Sequence, residues 1–346
     1  MKLAVYGPGR LGLVIGDTLV DLQRATSEYL TSQGERSAKE ESESLVGHTL
    51  GSFLEKGDGA IRAAKDVLKF AKGDLEGLRG GRGEKISFKL SLAKLRAPVT
   101  DSYRFKVMCI GANFADHFVG LSRNMPVTIG ETRKVLTLEG ARAEALKNPQ
   151  WGFYKMGSSI AQPGQDVPYP ARTKFLDYEA EIGLVIGKGG KDISRKQLLD
   201  HVFGYTLFND FSLRDNMDKG VMNFARVKNF EGSGALGPII VTKDEAPDPQ
   251  DIDFASSVNG EPRQKGNTKD MIRGFGEWME FLSADSELNP GDVIASGTCA
   301  GTAADSSKRH ADGTPYPEKF LKVGDVVEVS SKKVGATLRN RIVAKA

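Results

Sequence analysis

Residues 175–190 read FLDYEAEIGLVIGKGG, and the run AEIGLVIG at 180–187 sets the class of fold. A short stretch this rich in Ile, Leu and Val, closed by a Gly-rich turn, has the length and composition of a β-strand. Similar runs recur outward from it. FKVMCIG (105–111) lies upstream, and GYTLFND (204–210), GPIIV (237–241), DVIASG (292–297), VGDVVEVSS (323–331) and ATLRNRIV (336–343) lie downstream. NPGDVI (289–294) and KVGDVV (322–327) each place Gly-Asp directly before a β-branched run, a hairpin-type turn signal. Helices interrupt this texture only occasionally. Ser194 and Gln197 form a capping-box pattern that opens SRKQLLDHVF and predicts a helix as far as Gly204. NTKDMIRGFGEWMEFLS (267–283) puts Met271, Ile272, Phe275, Trp278, Met279 and Leu282 on one helical face. The pattern is α+β and strand-rich, without the regular alternation of a doubly wound sheet.

The first hundred residues differ in texture. Residues 1–20 read as strand, turn, strand, and helical patterns come next. The clearest is Asp58–Ala71, with Asp58 as N-cap, Ile61, Ala64, Leu68 and Ala71 on one face, and Gly73 just past the end. KGDLEGLRGGRGEK (72–85) reads as a turn or linker. A small N-terminal domain over 1–100 and a larger domain over 101–346 are therefore expected. Gly7-Pro8-Gly9-Arg10-Leu11-Gly12 matches GxGxxG, but a dinucleotide site needs a helix next. The adjoining LVIGDTLVDL is β-branched and broken by Gly16-Asp17, so a Gly-rich hairpin is the better reading.

Lys plus Arg number 48 against 45 Asp plus Glu, a net charge of +3, too even to favour nucleic acid or an anionic membrane. No apolar run approaches the roughly 20 residues that span a bilayer. The start, MKLAVYGPGRLG, has no secretory-signal pattern. Two cysteines, Cys109 and Cys299, give no disulfide framework. The expectation is a cytoplasmic protein whose partner is a small molecule.

Glu179 and Glu181 stand two apart beside the strand run, so they point to one face. Paired carboxylates repel unless water screens them or a cation lies between, so they form either a solvated strand face or a metal site. Asp210 closes the strand GYTLFND and converges on the pair if the two strands are neighbours. Three oxygen ligands without Cys or a local His suit a hard cation, Mg²⁺ above all, with Mn²⁺ or Ca²⁺ possible, and suit zinc poorly.

In order and spacing, DYEAEIGLVIGKGGKDIS, GYTLFNDFSLRD, VKNFEGSGALGP and LNPGDVIASGT resemble the fumarylacetoacetate hydrolase family. CIGANFADHF looks like that family's G-x-N-Y-x-x-H segment. The resemblance covers roughly 103–300 well and implies a mixed β-roll or β-sandwich catalytic domain behind a small N-terminal α/β domain, in a homodimer. It makes Glu179, Glu181 and Asp210 the metal ligands, His117 the general base and Lys228 the active-site lysine. It gives the Gly297-Thr298 turn to the substrate, and Arg214 with Asp215 a scaffold ion pair. The activity it implies is hydrolysis of a C–C bond in a 2,4-dioxo acid of acylpyruvate or fumarylacetoacetate type, through an enolate that the ion stabilises. Decarboxylation, isomerisation or dehydration of a 2-oxo acid would use the same site.

Two features depart from the family. Many relatives carry a glutamate one helical turn after the histidine, where this chain has Gly120, so Glu131 or Glu139 is a candidate to orient His117. Residues 119–150 are longer than in compact members and suggest a lid that brings Arg123 or Arg142 to the distal end of the substrate, or else a surface insertion. The polar segment GTCAGTAADSSKRHADG (297–313) either shapes the pocket or only connects strands.

Overall fold

The computed structural model describes residues 1–100, 105–124, 128–129, 132–133, 136–215, 217–218, 221–310 and 314–345, and side chains outside 123–135 and 216–222. The principal strands are β1 (Lys2–Tyr6), β2 (Arg10–Ile15), β3 (Thr18–Asp21), β4 (Val107–Ile110), β5 (Gly152–Lys155), β6 (Ala180–Ile186), β7 (Val202–Asp210), β8 (Gly234–Thr242), β9 (Asp253–Val258), β10 (Glu261–Asn267), β11 (Val293–Ala295), β12 (Val326–Ser331) and β13 (Ala336–Val343). The helices that bear on the core and the site are α1 (Leu22–Ser32), α2 (Ala38–Val46), α3 (Leu50–Glu55), α4 (Gly57–Gly73), α5 (Ala115–Asn124), α6 (Leu138–Lys147), α7 (Phe224–Val227), α8 (Phe275–Ser283) and α9 (Ala303–Ser306).

AEIGLVIG becomes β6, buried along its whole length at the middle of the main sheet. The order through it is β3-β2-β1-β8-β7-β6-β11-β4-β5. All these neighbours are antiparallel except β11 and β4. A second sheet, β13-β12-β9-β10, covers one face. Ile182, Leu184, Tyr205 and Leu207 share a core there with Phe254, Val327, Val329 and Leu338. On the other face Val185, Phe203, Phe208 and Ile240 meet Phe53, Ala60, Ala64 and Val67 of α3 and α4. Each of these larger aliphatic or aromatic side chains contributes about 1.5–3 kcal/mol by leaving water. A sheet covered on both faces explains why β6 is apolar throughout rather than alternating.

The N-terminal glycines make the expected hairpin: β1 and β2 pair antiparallel from Tyr6↔Arg10 to Lys2↔Val14. β1 also pairs with β8, Lys2 opposite Val241, so residues 1–21 extend the same sheet as the later strands. Among the described residues no helix is long and apolar enough to cross a membrane.

Two helices are shorter than the sequence predicts. The capping box at Ser194 forms, but only a 3-10 turn and the short helix Leu198–His201 lie between it and β7, which begins at Val202. The Val-Phe-Gly-Tyr-Thr run fits the sheet better than a helix. In 267–283 the helix is confined to α8, and Gly274, whose N–H is held by Glu277 at 3.0 Å, marks its start. Asp58 lies inside the first turn of α4 rather than before it.

Candidate functional site

The strand alternation that buries β6 also builds the site. Glu179 and Glu181 share the parity of Val185, opposite to Ala180, Ile182 and Leu184. In the antiparallel register Glu181 faces Phe208, and the Asp210 amide donates to the Glu179 carbonyl at 2.9 Å. Asp210 therefore arrives beside the two glutamates, and one oxygen from each carboxylate lies within 4.8 Å of the others. The three residues are 5%, 2% and 1% exposed, which rules out the solvated strand face.

Cations surround this cluster unevenly. The Lys228 ammonium, placed by the turn after α7, donates to Glu179 Oε2 at 2.6 Å, Asp210 Oδ2 at 3.0 Å and Ser212 Oγ at 2.6 Å. Arg214 donates to the other oxygen of Glu179 and, through Nε, to Asp177 Oδ2 at 2.8 Å. Lys155, at the end of β5, reaches Asp210 Oδ1 at 2.8 Å. Burial opposes charge at Glu179, yet Lys228 and Arg214 hold its carboxyl well below the usual range. Glu181 is the exception. Burial, with Asp210 and Glu179 beside it, pushes its carboxyl well above the usual range. It accepts from a backbone group, the Gly297 N–H at 3.0 Å from Oε2, while the cationic side chains described here pair with Glu179 and Asp210 instead. A buried carboxylate left in this state costs several kcal/mol. The donor set, all oxygen and one positive charge short, fits a divalent cation held by Glu179, Glu181 and Asp210.

His117 stands across the same cavity. Asn113, at the junction of β4 and α5, donates to Ser296 O at 2.9 Å and Arg273 O at 3.1 Å, which anchors α5 to the end of β11. His117, in the first turn of α5, meets Asp305 Oδ2 of α9 through Nδ1 at 2.8 Å. The carboxylate accepts, so Nδ1 carries the hydrogen and Nε2 keeps its lone pair. The acid that orients His117 is thus Asp305, 188 residues away, and the candidate Glu139 sits exposed on α6. Glu131 lies outside the described residues. Gly120 now has its reason: a Cβ there would lie 2.5 Å from Asp305 Cβ. We expect Gly120→Ala to push α9 away from α5 and lower kcat about ten-fold without loss of divalent-ion binding, as steady-state rates and metal titration would read.

Asp177 joins the two halves. Its oxygens accept the Ala303 and Ala304 amides at 2.7 and 3.0 Å, at the start of the helix that carries Asp305, and also accept from Arg214. Arg214 therefore pairs with Asp177 and Glu179 rather than with Asp215. Asp215 instead accepts from Thr173 Oγ1 at 2.5 Å and the Lys174 amide at 2.8 Å.

Of the other residues that the sequence singles out, Thr298 lines the cavity, with Oγ1 donating to Ala180 O at 2.8 Å and accepting from Gln264 Nε2 at 2.7 Å. Gly297 serves Glu181 through its amide. Arg142 is not brought to the cavity: its guanidinium donates to the carbonyls of Met271 at 3.4 Å and Ile272 at 3.2 Å. The Arg123 side chain lies outside the described residues. The His201 ring meets Lys188 O through Nδ1 at 2.7 Å. Asp305, Lys155 and Asp177 are the participants that sequence reasoning missed. T-A-A-D at 302–305, a capping spacing in which Thr302 Oγ1 accepts the Asp305 amide at 3.3 Å, was the one available signal for the acid-bearing helix.

These groups enclose a cavity of about 250 Å³ into which His117, Glu179, Glu181, Lys228 and Thr298 all face. The arrangement places an imidazole, buried carboxylates and an ammonium around one small cavity.

Residues 106–343 match the family described as Fumarylacetoacetate (FAA) hydrolase C-terminal. Oxaloacetate tautomerase YisK of Bacillus subtilis is 30% identical over 99% of this chain and 100% of its own length. The solved fumarylacetoacetate hydrolase of Exiguobacterium antarcticum is 28% identical with a TM-score of 0.63, covering 100% of both chains. The solved 2-hydroxyhepta-2,4-diene-1,7-dioate isomerase of Mycobacterium marinum is 29% identical with a TM-score of 0.56, covering 75% of this chain and 81% of its own.

Proposed function

The chain belongs to the fumarylacetoacetate hydrolase family, and on that premise we propose that it is an enolising enzyme, a keto–enol tautomerase of a 2-oxo acid. The observation that carries this reading is the His117–Asp305 pair, 2.8 Å apart, facing the same small cavity as the buried carboxylates. A base at a carbon and positive surroundings at an oxygen are all that enolisation needs. The full-length likeness to a protein named as an oxaloacetate tautomerase supports the same reaction type.

A divalent cation held by Glu179, Glu181 and Asp210 would supply Lewis acidity, lowering the energy of negative charge that develops on the keto oxygen. The chain's own groups do the rest. His117 Nε2 removes a proton from the carbon next to the keto group, and the Asp305 carboxylate stabilises the imidazolium that forms. In the ketonising direction protonated His117 returns that proton to carbon while the enol oxygen gives up its own to solvent. Lys228 adds a fixed positive charge near the oxygen end, and Arg214 holds Glu179 in place. The apolar walls exclude water and strengthen each of these interactions.

A second reading, cleavage of a C–C bond in an acylpyruvate, is favoured by the same pair, since His117 would deprotonate a water as readily as a carbon acid. It adds one demand, a water held between His117 and a second carbonyl. The two readings separate by product. The metal-loaded protein, given the enol of oxaloacetate and a set of acylpyruvates, is expected to speed loss of the enol absorbance with carbon count unchanged. Release of pyruvate from an acylpyruvate would replace the first reading with the second, and neither event would end both.

A further inference from the structure

The carboxylate triad and Lys228 occupy one end of the cavity; the other end is a wall of rings. Lys228 Nζ lies 5.0 Å from the centroid of the Phe153 ring. Phe153 stacks on Phe224 at 5.3 Å and 9°, and Phe224 meets Trp151 at 5.2 Å and 45°. The series runs without a break from the head of the site to Trp151, which is 42% exposed at its mouth. Ile110, Phe118 and Leu121 line the cavity as well. Gly111 makes room for this wall, since a Cβ there would lie 2.3 Å from the indole of Trp151.

No described residue brings charge to that end. Among the described residues that line the cavity, the cationic side chains are Arg214 and Lys228, and both are already engaged with Glu179 and its neighbours. The amide of Asn113 is spent on Ser296 O and Arg273 O. Among the described residues that line the cavity, none offers a second carboxylate at that end a cationic partner. A flat apolar group would instead pack against the aromatic side chains that line the cavity.

We propose that the substrate is a 2-oxo acid bearing a planar apolar tail, an aryl or extended conjugated group, and that Trp151 and Phe224 select for it. This rests on the enolising reading for the chemistry of the head, and departs from a dicarboxylic acid such as oxaloacetate in the tail. The 2-oxo acid head lies against the triad and Lys228. The tail runs along Phe153 and Phe224 and ends under Trp151.

Binding tests this apart from turnover. Calorimetric titration of the full-length protein, loaded with Mg²⁺, with phenylpyruvate and with oxaloacetate gives two dissociation constants. Phenylpyruvate is expected to bind the more tightly, and Trp151→Ala to lower the ratio of the two affinities about ten-fold, the worth of one good aromatic pair. Phe224→Leu, which keeps the bulk and removes the ring, is expected to lower it in the same direction. Tighter binding of oxaloacetate, or a ratio unmoved by both substitutions, would overturn the proposal. If the affinities follow the prediction while neither enol is turned over, the enolising reading fails and the tail assignment stands.

Discussion

Asp305→Asn lowers kcat about 10²-fold and leaves divalent-ion affinity within about two-fold, the share that an oriented general base commonly contributes. The reason is tautomeric. The carboxylate accepts only, so it fixes the hydrogen on His117 Nδ1 and leaves Nε2 free to take a proton. Asparagine presents its amide as readily as its carbonyl, and in that orientation it places the hydrogen on Nε2. It also fails to stabilise the imidazolium. Asp305 has a second duty, accepting the Gly301 amide at 3.0 and 3.2 Å, so lost activity alone would not separate chemistry from a loosened helix. Separating the rate constants does: a variant defective in proton transfer keeps KM and Tm and loses kcat, whereas a variant that merely loosens α9 raises KM and lowers Tm. A relocated acid is a further check. Gly120→Glu with Asp305→Gly removes the Cβ clash at 2.5 Å and returns a carboxylate from α5 itself. Partial recovery of kcat relative to Asp305→Gly alone is expected.

The second large effect is at Glu181. Glu181→Gln should abolish measurable stabilisation by Mg²⁺ or Mn²⁺ and lower turnover by about 10³-fold or more, since a ligand and its charge are lost together. In the metal-free protein the same substitution is expected to raise Tm by a few degrees near neutral pH. Burial and the neighbouring Asp210 and Glu179 raise the folded-state pKa of Glu181 above its unfolded value. The stability this group contributes is therefore full below the ordinary glutamate range and is lost as pH rises toward the raised value. Metal-free wild type should lose Tm relative to Glu181→Gln as the pH climbs from about 4.3 upward. Saturation with ion at about 100 times its dissociation constant restores roughly 2.7 kcal/mol to wild type and nothing to the variant. Thermal melts with and without ion, across pH, read both signs. A metal-free Tm difference that did not grow with pH would mean that Glu181 is not the uncompensated charge of the site.

Local rules made the strands legible. AEIGLVIG, GYTLFND and ATLRNRIV became β6, β7 and β13 because composition and turn residues act over a few neighbours. The triad was legible for the same reason: alternation puts Glu179 and Glu181 on one face, and a single antiparallel register brings Asp210 to them. Helix ends were less so, since β7 claims Val202 and Phe203 through tertiary packing that no local pattern contains. The partner of His117 was not legible at all. Its contact spans 188 residues, and the acid comes from a four-residue helix held by Asp177, another long-range contact. Gly120 looked like a lost acid; the structure makes it the space that a borrowed acid needs. Lys155 escaped because a lysine closing an edge strand reads as solvent-facing, whereas here it is 1% exposed against Asp210.

Enolisation by His117 is tested by the rate at which the enol of a 2-oxo acid becomes its keto form, with enzyme, divalent ion and heavy water present. Metal-loaded wild type should speed the loss of enol absorbance and place one deuterium on the carbon next to the keto group, with no change in carbon count. Metal removal, His117→Gln and Glu179→Gln should each abolish the acceleration. Acceleration that survives in His117→Gln, or appears only with cleavage of the carbon chain, would contradict enolisation by this base.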